Sequence, residues 1–171
     1  MIEHMRNHRV LLARVARWLR PGGRAFFHHF SHRWACYRFE DEGEDDWMAR
    51  HFFSGGVMPP HDLVPWTLAH GAAPAAAGAA PAPLPLAVRG HWWLNGLHYS
   101  RTLEDWLRRH DATRGEWMPA FAAPDAYGSP AEARRWDRRW RVFYLACSEL
   151  FAWGGGDTWG VTHVVLERTE G

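Results

Sequence analysis

Residues 18–30 read WLRPGGRAFFHHF, from Trp18 to Phe30, and this stretch decides the fold class. Just upstream, Met5, Val10, Leu11, Leu12, Val15, Trp18 and Leu19 recur at steps of three and four, the period of an amphipathic helix over residues 4–20. Pro21-Gly22-Gly23 stops that helix. Arg24 to Phe30 then forms a short apolar and aromatic run directly after the turn, the pattern of a buried strand. Helix, tight turn and strand in that order make an α/β unit.

Working outward, Glu40 to Asp46 carries six carboxylates in seven positions, ahead of Trp47, Met48, Phe52 and Phe53. Acids placed there would lie at the positive end of a short helix. Ser54-Gly55-Gly56 ends it, and Met58-Pro59-Pro60 leads to a further short helix over residues 61–68. Between residues 69 and 87 the composition collapses to mostly Ala, Pro and Gly, which predicts a disordered insertion within one domain spanning 1–171. Residues 88–94 read as a Trp-rich strand, Asn95-Gly96 as a turn, and Thr102 as the N-cap of a helix carrying Leu103, Trp106 and Leu107. After a loop over residues 119–128, Ser129 and Pro130 open the longest helix, with Trp136, Trp140, Phe143, Cys147, Leu150 and Phe151 on one face. Gly154-Gly155-Gly156 closes that helix, and residues 159–167 finish the chain as a strand.

Composition removes several function classes. With 171 residues the chain suits one domain, which on folding would bury roughly 68–70% of the surface of its unfolded form. Twenty basic against 19 acidic residues leave a formal charge of +1, so no excess field points to nucleic acid. No run of 18 uncharged apolar residues is present, which excludes a spanning helix and leaves peripheral membrane contact open. Cys36 and Cys147 stand outside any CxxC or secretory framework; they read as two small buried thiols in a reducing, cytoplasmic compartment. The twelve Trp read chiefly as core, including Trp92, Trp93, Trp106, Trp136 and Trp140. His28, His29 and His32 are not expected to bind a metal, because strand alternation sends His28 and His29 to opposite faces and no Cys or carboxylate completes a ligand set.

Three stretches along the chain carry a resemblance: residues 2–7 (IEHMRN), 39–59 (FEDEGEDDWMARHFFSGGVMP) and 93–102 (WLNGLHYSRT). Residues 18–23 (WLRPGG), 135–149 (RWDRRWRVFYLACSE) and 159–163 (WGVTH) add to it. Together they resemble the cyclopropane-fatty-acid synthase superfamily, and within it the coclaurine N-methyltransferase-like branch. The resemblance implies an α/β, Rossmann-like class I methyltransferase fold, of which these residues would form the carboxy-terminal strands and helices. The glycine-rich loop and the acidic residue that hold S-adenosylmethionine in that fold have no counterpart here, so the cofactor-binding half would lie upstream of Met1. Gly154-Gly155-Gly156 cannot replace the loop, since it follows a helix rather than opening one.

The resemblance also implies roles for individual residues. In the N-methyltransferases a Glu-His pair matching Glu3 and His4 approaches the substrate amine and helps bring it to its neutral form. An ammonium has no lone pair with which to attack a sulfonium methyl, so a nearby base is useful. In the cyclopropane synthases the equivalents of Glu3, His28 and Tyr99, with an upstream Cys, hold a bicarbonate base. The expected acceptor is accordingly a small amine, with an unsaturated phospholipid acyl chain as the alternative and a catalytically inactive interaction module as the third reading.

Overall fold

A computed structural model describes residues 1–44, 46–53, 55–70 and 83–170. The expected insertion falls largely on residues 71–82, which lie outside the described residues; the chain is helical up to His70 and extended again from Leu86. The chain divides into two compact units, residues 1–94 with 158–171, and residues 95–157.

The first unit is an α/β layer. Its elements are a 3-10 turn at Ile2–His4, α1 (His8–Trp18), β1 (Arg24–His32), β2 (Tyr37–Arg38), α2 (Trp47–His51), β3 (Val57–Met58), α3 (Leu63–His70), β4 (Leu86–Asn95, whose last residue begins the second unit) and β5 (Trp159–Arg168). Helix, turn and strand at its start form as the sequence predicts. Asn7 caps α1 by accepting from the Val10 amide at 3.0 Å, and Gly22 takes the turn at φ +73°. The sheet order is β1-β5-β4, so the last strand is inserted between the two earlier ones. It runs antiparallel to β1 in unbroken register from Arg24↔Glu167 to His32↔Trp159. Glu167 marks that central place with two ion pairs of 2.8 Å, one to Arg24 on β1 and one to Arg89 on β4. Gly160 lets β4 come close, because a Cβ there would stand 2.5 Å from the Leu94 carbonyl oxygen and from the Trp93 ring. Leu11, Leu12, Val15 and Ala16 of α1 pack with Val64, Leu86, Val164 and Leu166 to make the core, the burial that supplies most of the stability.

The second unit is helical: α4 (Gly96–Ala112), α5 (Arg114–Phe121), α6 (Pro130–Ala152) and a closing 3-10 turn at Trp153–Gly156. Leu103 of α4 and Phe143, Cys147 and Phe151 of α6 are buried, and the Ser100 and Ser148 hydroxyls meet at 2.9 Å. Ser129 caps α6 with Pro130 in its first turn, as the sequence predicts.

Several expectations are corrected. Asn95-Gly96 is not a turn ahead of a helix capped at Thr102. Asn95 is itself the N-cap, its Oδ1 accepting from the Leu97 amide at 2.9 Å, and Thr102 lies inside α4, donating to the His98 carbonyl. The Asn95 amide also donates to the Gly155 carbonyl and the Asp157 carboxylate, so one side chain ties the two ends of the helical unit. The expected loop over residues 119–128 is helical at its start, because α5 carries Pro119 within it. Asp46 caps no helix amide; its carboxylate accepts from the amides of Glu42 and Gly43, while Asp41 pairs with Arg50. Cys36 is exposed, and only Cys147 of the two thiols is buried. Trp92 and Trp106 are about half exposed, at 52% and 47%; Trp92 lies across Gly90, where a Cβ would meet its ring.

The capping correction is testable by chemical denaturation. Asn95→Ala is expected to lower stability by about 1–2 kcal/mol, and Thr102→Ala by less than about 0.5 kcal/mol. Equal losses for the two variants would restore the Thr102 cap.

Candidate active site

Glu3 and His4 sit in the 3-10 turn that precedes α1. Ile2 beside them is buried, and the His8 ring donates to the Ile2 carbonyl at 3.0 Å, so the turn is fixed from both sides. The segment before β3 clamps it again. Arg6 donates to the Gly55 carbonyl at 2.8 Å, and Gly56 comes so near that a Cβ would stand 2.5 Å from the Glu3 carbonyl oxygen and 3.2 Å from the Phe39 ring. Gly55 takes φ +78°, which an L side chain resists. The Gly-Gly pair read as a helix stop therefore also seats the turn that presents Glu3. A close approach between segments some fifty positions apart leaves no periodicity for sequence reasoning to find.

The Glu3 side chain is 13% exposed and accepts from the Met1 ammonium at 2.8 Å. Burial pushes its carboxyl up, but the hydrogen bond to that ammonium, with a backbone hydrogen bond and the nearby positive charge, outweighs burial and holds it below the usual carboxylate range. His4 is exposed. Phe39 packs with Phe53 at 5.1 Å between centroids, and Phe53 with Phe30 at 5.7 Å, which places an aromatic cluster beside Gly56.

His28 lies on the exposed side of β1, and its Nδ1 meets Nε2 of His163 on β5 at 2.8 Å. One proton serves that contact, and His163 is held below the usual imidazole value by burial and by His28. Tyr99 is in the second unit, on α4, edge-on to Phe151 at 4.7 Å and to Trp106 at 6.1 Å. The structure thus brings Glu3 and His4 together on one turn, pairs His28 with a histidine that sequence reasoning passed over, and places Tyr99 among the aromatic side chains of the helical unit.

The other face of β1 carries a buried polar chain that the sequence does not announce. His29, 1% exposed, donates from Nδ1 to the Phe30 carbonyl at 2.9 Å and lies 3.1 Å from the Ser31 hydroxyl. Ser31 meets Thr162 of β5 at 2.8 Å, and Thr162 meets Nδ1 of His61 at 3.0 Å. Since the carbonyl requires the His29 proton on Nδ1, its Nε2 is a bare lone pair, buried and without a partner among the described residues. Burial lowers the His29 value, Glu3 partly opposing it. For His61, burial, the stacked His91 ring 4.0 Å away and Arg33 push it down to about 4.

Among the described residues no group of three His, Cys, Asp or Glu is placed for a metal, and no helix is long and apolar enough to cross a membrane. Gly154, Gly155 and Gly156 turn at positive φ after α6. At the junction where α4 does follow a strand, the Leu97 amide is taken by Asn95 and the Gly156 backbone fills the adjoining space, so no open row of amides faces a ligand.

The inserted antiparallel strand and the helical excursion ahead of it define the class: this is part of a class I S-adenosylmethionine-dependent methyltransferase fold. The chain is similar along nearly its whole length to part of the coclaurine N-methyltransferases, and it shares its fold with cyclopropane synthases. It is 30% identical over 168 residues to (S)-coclaurine N-methyltransferase of Thalictrum flavum subsp. glaucum, covering 98% of this chain and 43% of that protein. To pavine N-methyltransferase of the same plant it is 28% identical over 170 residues, with the same coverage of each. The solved coclaurine N-methyltransferase bound to N-methylheliamine and SAH superposes with a TM-score of 0.75 at 29% identity, over 97% of this chain and 45% of that one. A cyclopropane synthase of Mycobacterium tuberculosis shares the fold at a TM-score of 0.66 and 18% identity, over 97% and 52%. No protein-family model matches the chain. The chain spans less than half the length of the curated relatives it matches, and S-adenosylmethionine is the cofactor of the family.

The depressed histidines fix the sign of the pH dependence. His29 and His61 are neutral in the fold, whereas an unfolded histidine protonates near 6.5. Between that value and about 4 the unfolded chain binds more protons, so stability falls as pH drops through the window. The thermal midpoint should decrease from pH 7 to 4.5, and proton NMR should show His61 titrating near 4. A His61 titration at 6.5 would break the account of the buried chain.

Proposed function

We propose that this chain is the acceptor side of a methyltransferase whose reaction is N-methylation of a small amine. The observation that carries the reading is the Glu3 carboxylate, mostly buried on a turn clamped by Gly55 and Gly56, with the exposed His4 side chain next to it on the same turn. A carboxylate held there can pair with a cationic amine. His4, on the same turn and exposed, is then the group that takes the amine's proton, leaving the lone pair that nucleophilic attack needs. The Phe30, Phe39 and Phe53 cluster offers aromatic surface to a methylated, cationic product. S-adenosylmethionine supplies the methyl group in the family; in this reading the residues of this chain orient the acceptor and relieve it of a proton.

The reading draws on the relatives that the chain matches along nearly its whole length, all N-methyltransferases of amines by name. The lipid alternative assigns a base-holding role to His28 and Tyr99, but Nδ1 of His28 is engaged by His163. Only the fold is shared with the cyclopropane synthases.

A chimera tests this directly: the chain joined behind the remaining part of the Thalictrum coclaurine N-methyltransferase, assayed with coclaurine by mass spectrometry. The expected product carries one methyl on nitrogen, and Glu3→Gln and His4→Ala each lower kcat by about 100-fold, with the loss at His4 smaller at high pH. Unchanged turnover in both variants would sink the assignment. A cyclopropanated acyl chain recovered from expressing cells would move it to the lipid alternative, and no transfer at all to the inactive module.

A further inference from the structure

The helical unit carries a groove that the methyl-transfer reading does not use. It has a volume of about 350 Å³ and is lined by Trp106 and Arg109 of α4, Trp117 and Phe121 of α5, and Tyr144 of α6, with His110 in its wall. That volume is within the range of small-molecule sites. Its aromatic walls are tied together by hydrogen bonds and ring contacts. The Trp117 indole N–H donates to the His110 carbonyl at 3.0 Å, and the His110 ring packs on Trp117 at 4.3 Å. His110 Nε2 donates to Asp137 at 3.0 Å. Asp137 is buried, and two guanidinium bonds from Arg114 hold its other oxygen. Burial pushes the Asp137 carboxyl up, but Arg114 and His110 outweigh it and keep it ionised.

These bonds spend the polar atoms of the walls on one another. Left facing the groove are π faces and a single formally charged lining group, Arg109, which is exposed and has no ion pair among the described residues. The one carboxylate behind the wall is already matched by the Arg114 guanidinium and the His110 N–H. Asp105, one turn before Arg109 on the same helix, pairs with Arg108, and Asp111 pairs with Arg141. The unmatched charge is therefore positive, the walls are flat, and Trp106 remains half exposed at the mouth. An ammonium would find aromatic faces here but also an uncompensated guanidinium; an aromatic anion finds both a stacking surface and its counter-charge.

We propose that this groove binds a planar aromatic carboxylate, its rings against Trp117, Phe121 and Tyr144 and its carboxylate on Arg109. The proposal is independent of the methyl-transfer reading and stands or falls without it. The test uses the chain itself and three probes of equal shape: sodium 2-naphthoate, neutral 2-naphthamide and 2-naphthylmethylammonium, followed by ligand-observed NMR and calorimetry. Naphthoate should bind tightest, with the ammonium on the order of tenfold weaker or more. Arg109→Gln, an exposed position, should leave the thermal midpoint in place and erase the difference between the acid and the amide. Trp117→Ala should weaken all three probes, and Thr113→Trp, which fills the groove, should do the same without removing a wall. A preference for the ammonium, or naphthoate affinity unchanged in both Arg109→Gln and Thr113→Trp, would overturn the proposal.

Discussion

The antiparallel ladder between β1 and β5 is the constraint on which the rest of the structure depends. A strand from the end of the chain enters between two that precede it, and an unbroken register locks it there. Because side chains alternate across a strand, that register sets His28 opposite His163 on one face and brings Ser31 to Thr162 on the other. A slip by one residue would reverse both faces, burying the exposed histidine pair and opening the buried polar chain to water. The same strand puts Val164 and Leu166 against α1, so the core and the site share one alignment.

The opening helix, the Pro-Gly-Gly turn and the first strand were legible because each is written in a local period or a local backbone requirement. The capping serine and proline of α6 were legible for the same reason. Thr102 misled because a β-branched hydroxyl residue is a good cap in isolation, while Asn95, which caps the Leu97 amide, is held in place by contacts with residues some sixty positions away. Nothing local records that distance. The buried Asp137, with its His110 and Arg114 partners, was hidden on a helix whose buried face was read from its apolar residues alone. Half-exposed Trp92 and Trp106 depart from the general burial of large aromatics for different reasons: one covers a glycine in its own strand, the other borders a groove.

Of the candidate site, the sequence identified Glu3 and His4 through resemblance alone, and the structure adds what holds them. Gly56 permits the approach, Gly55 supplies a left-handed backbone and an acceptor for Arg6, and Ile2 anchors the turn in the core. His29 adds a buried, unpartnered nitrogen on the strand that follows. In the proposed function these features form the wall that receives an acceptor. Gly154, Gly155 and Gly156 close a helix at positive φ, and the Leu97 amide at the start of α4 is taken by Asn95.

The proposed function divides the labour within one fold, this chain contributing the acceptor wall and another part the nucleoside cradle. Isothermal titration of the 171-residue chain with S-adenosylmethionine tests it most directly. The account predicts no saturable heat at ligand concentrations up to about a millimolar, equivalent to binding weaker than about −4 kcal/mol. A stoichiometric isotherm with a micromolar Kd would contradict it.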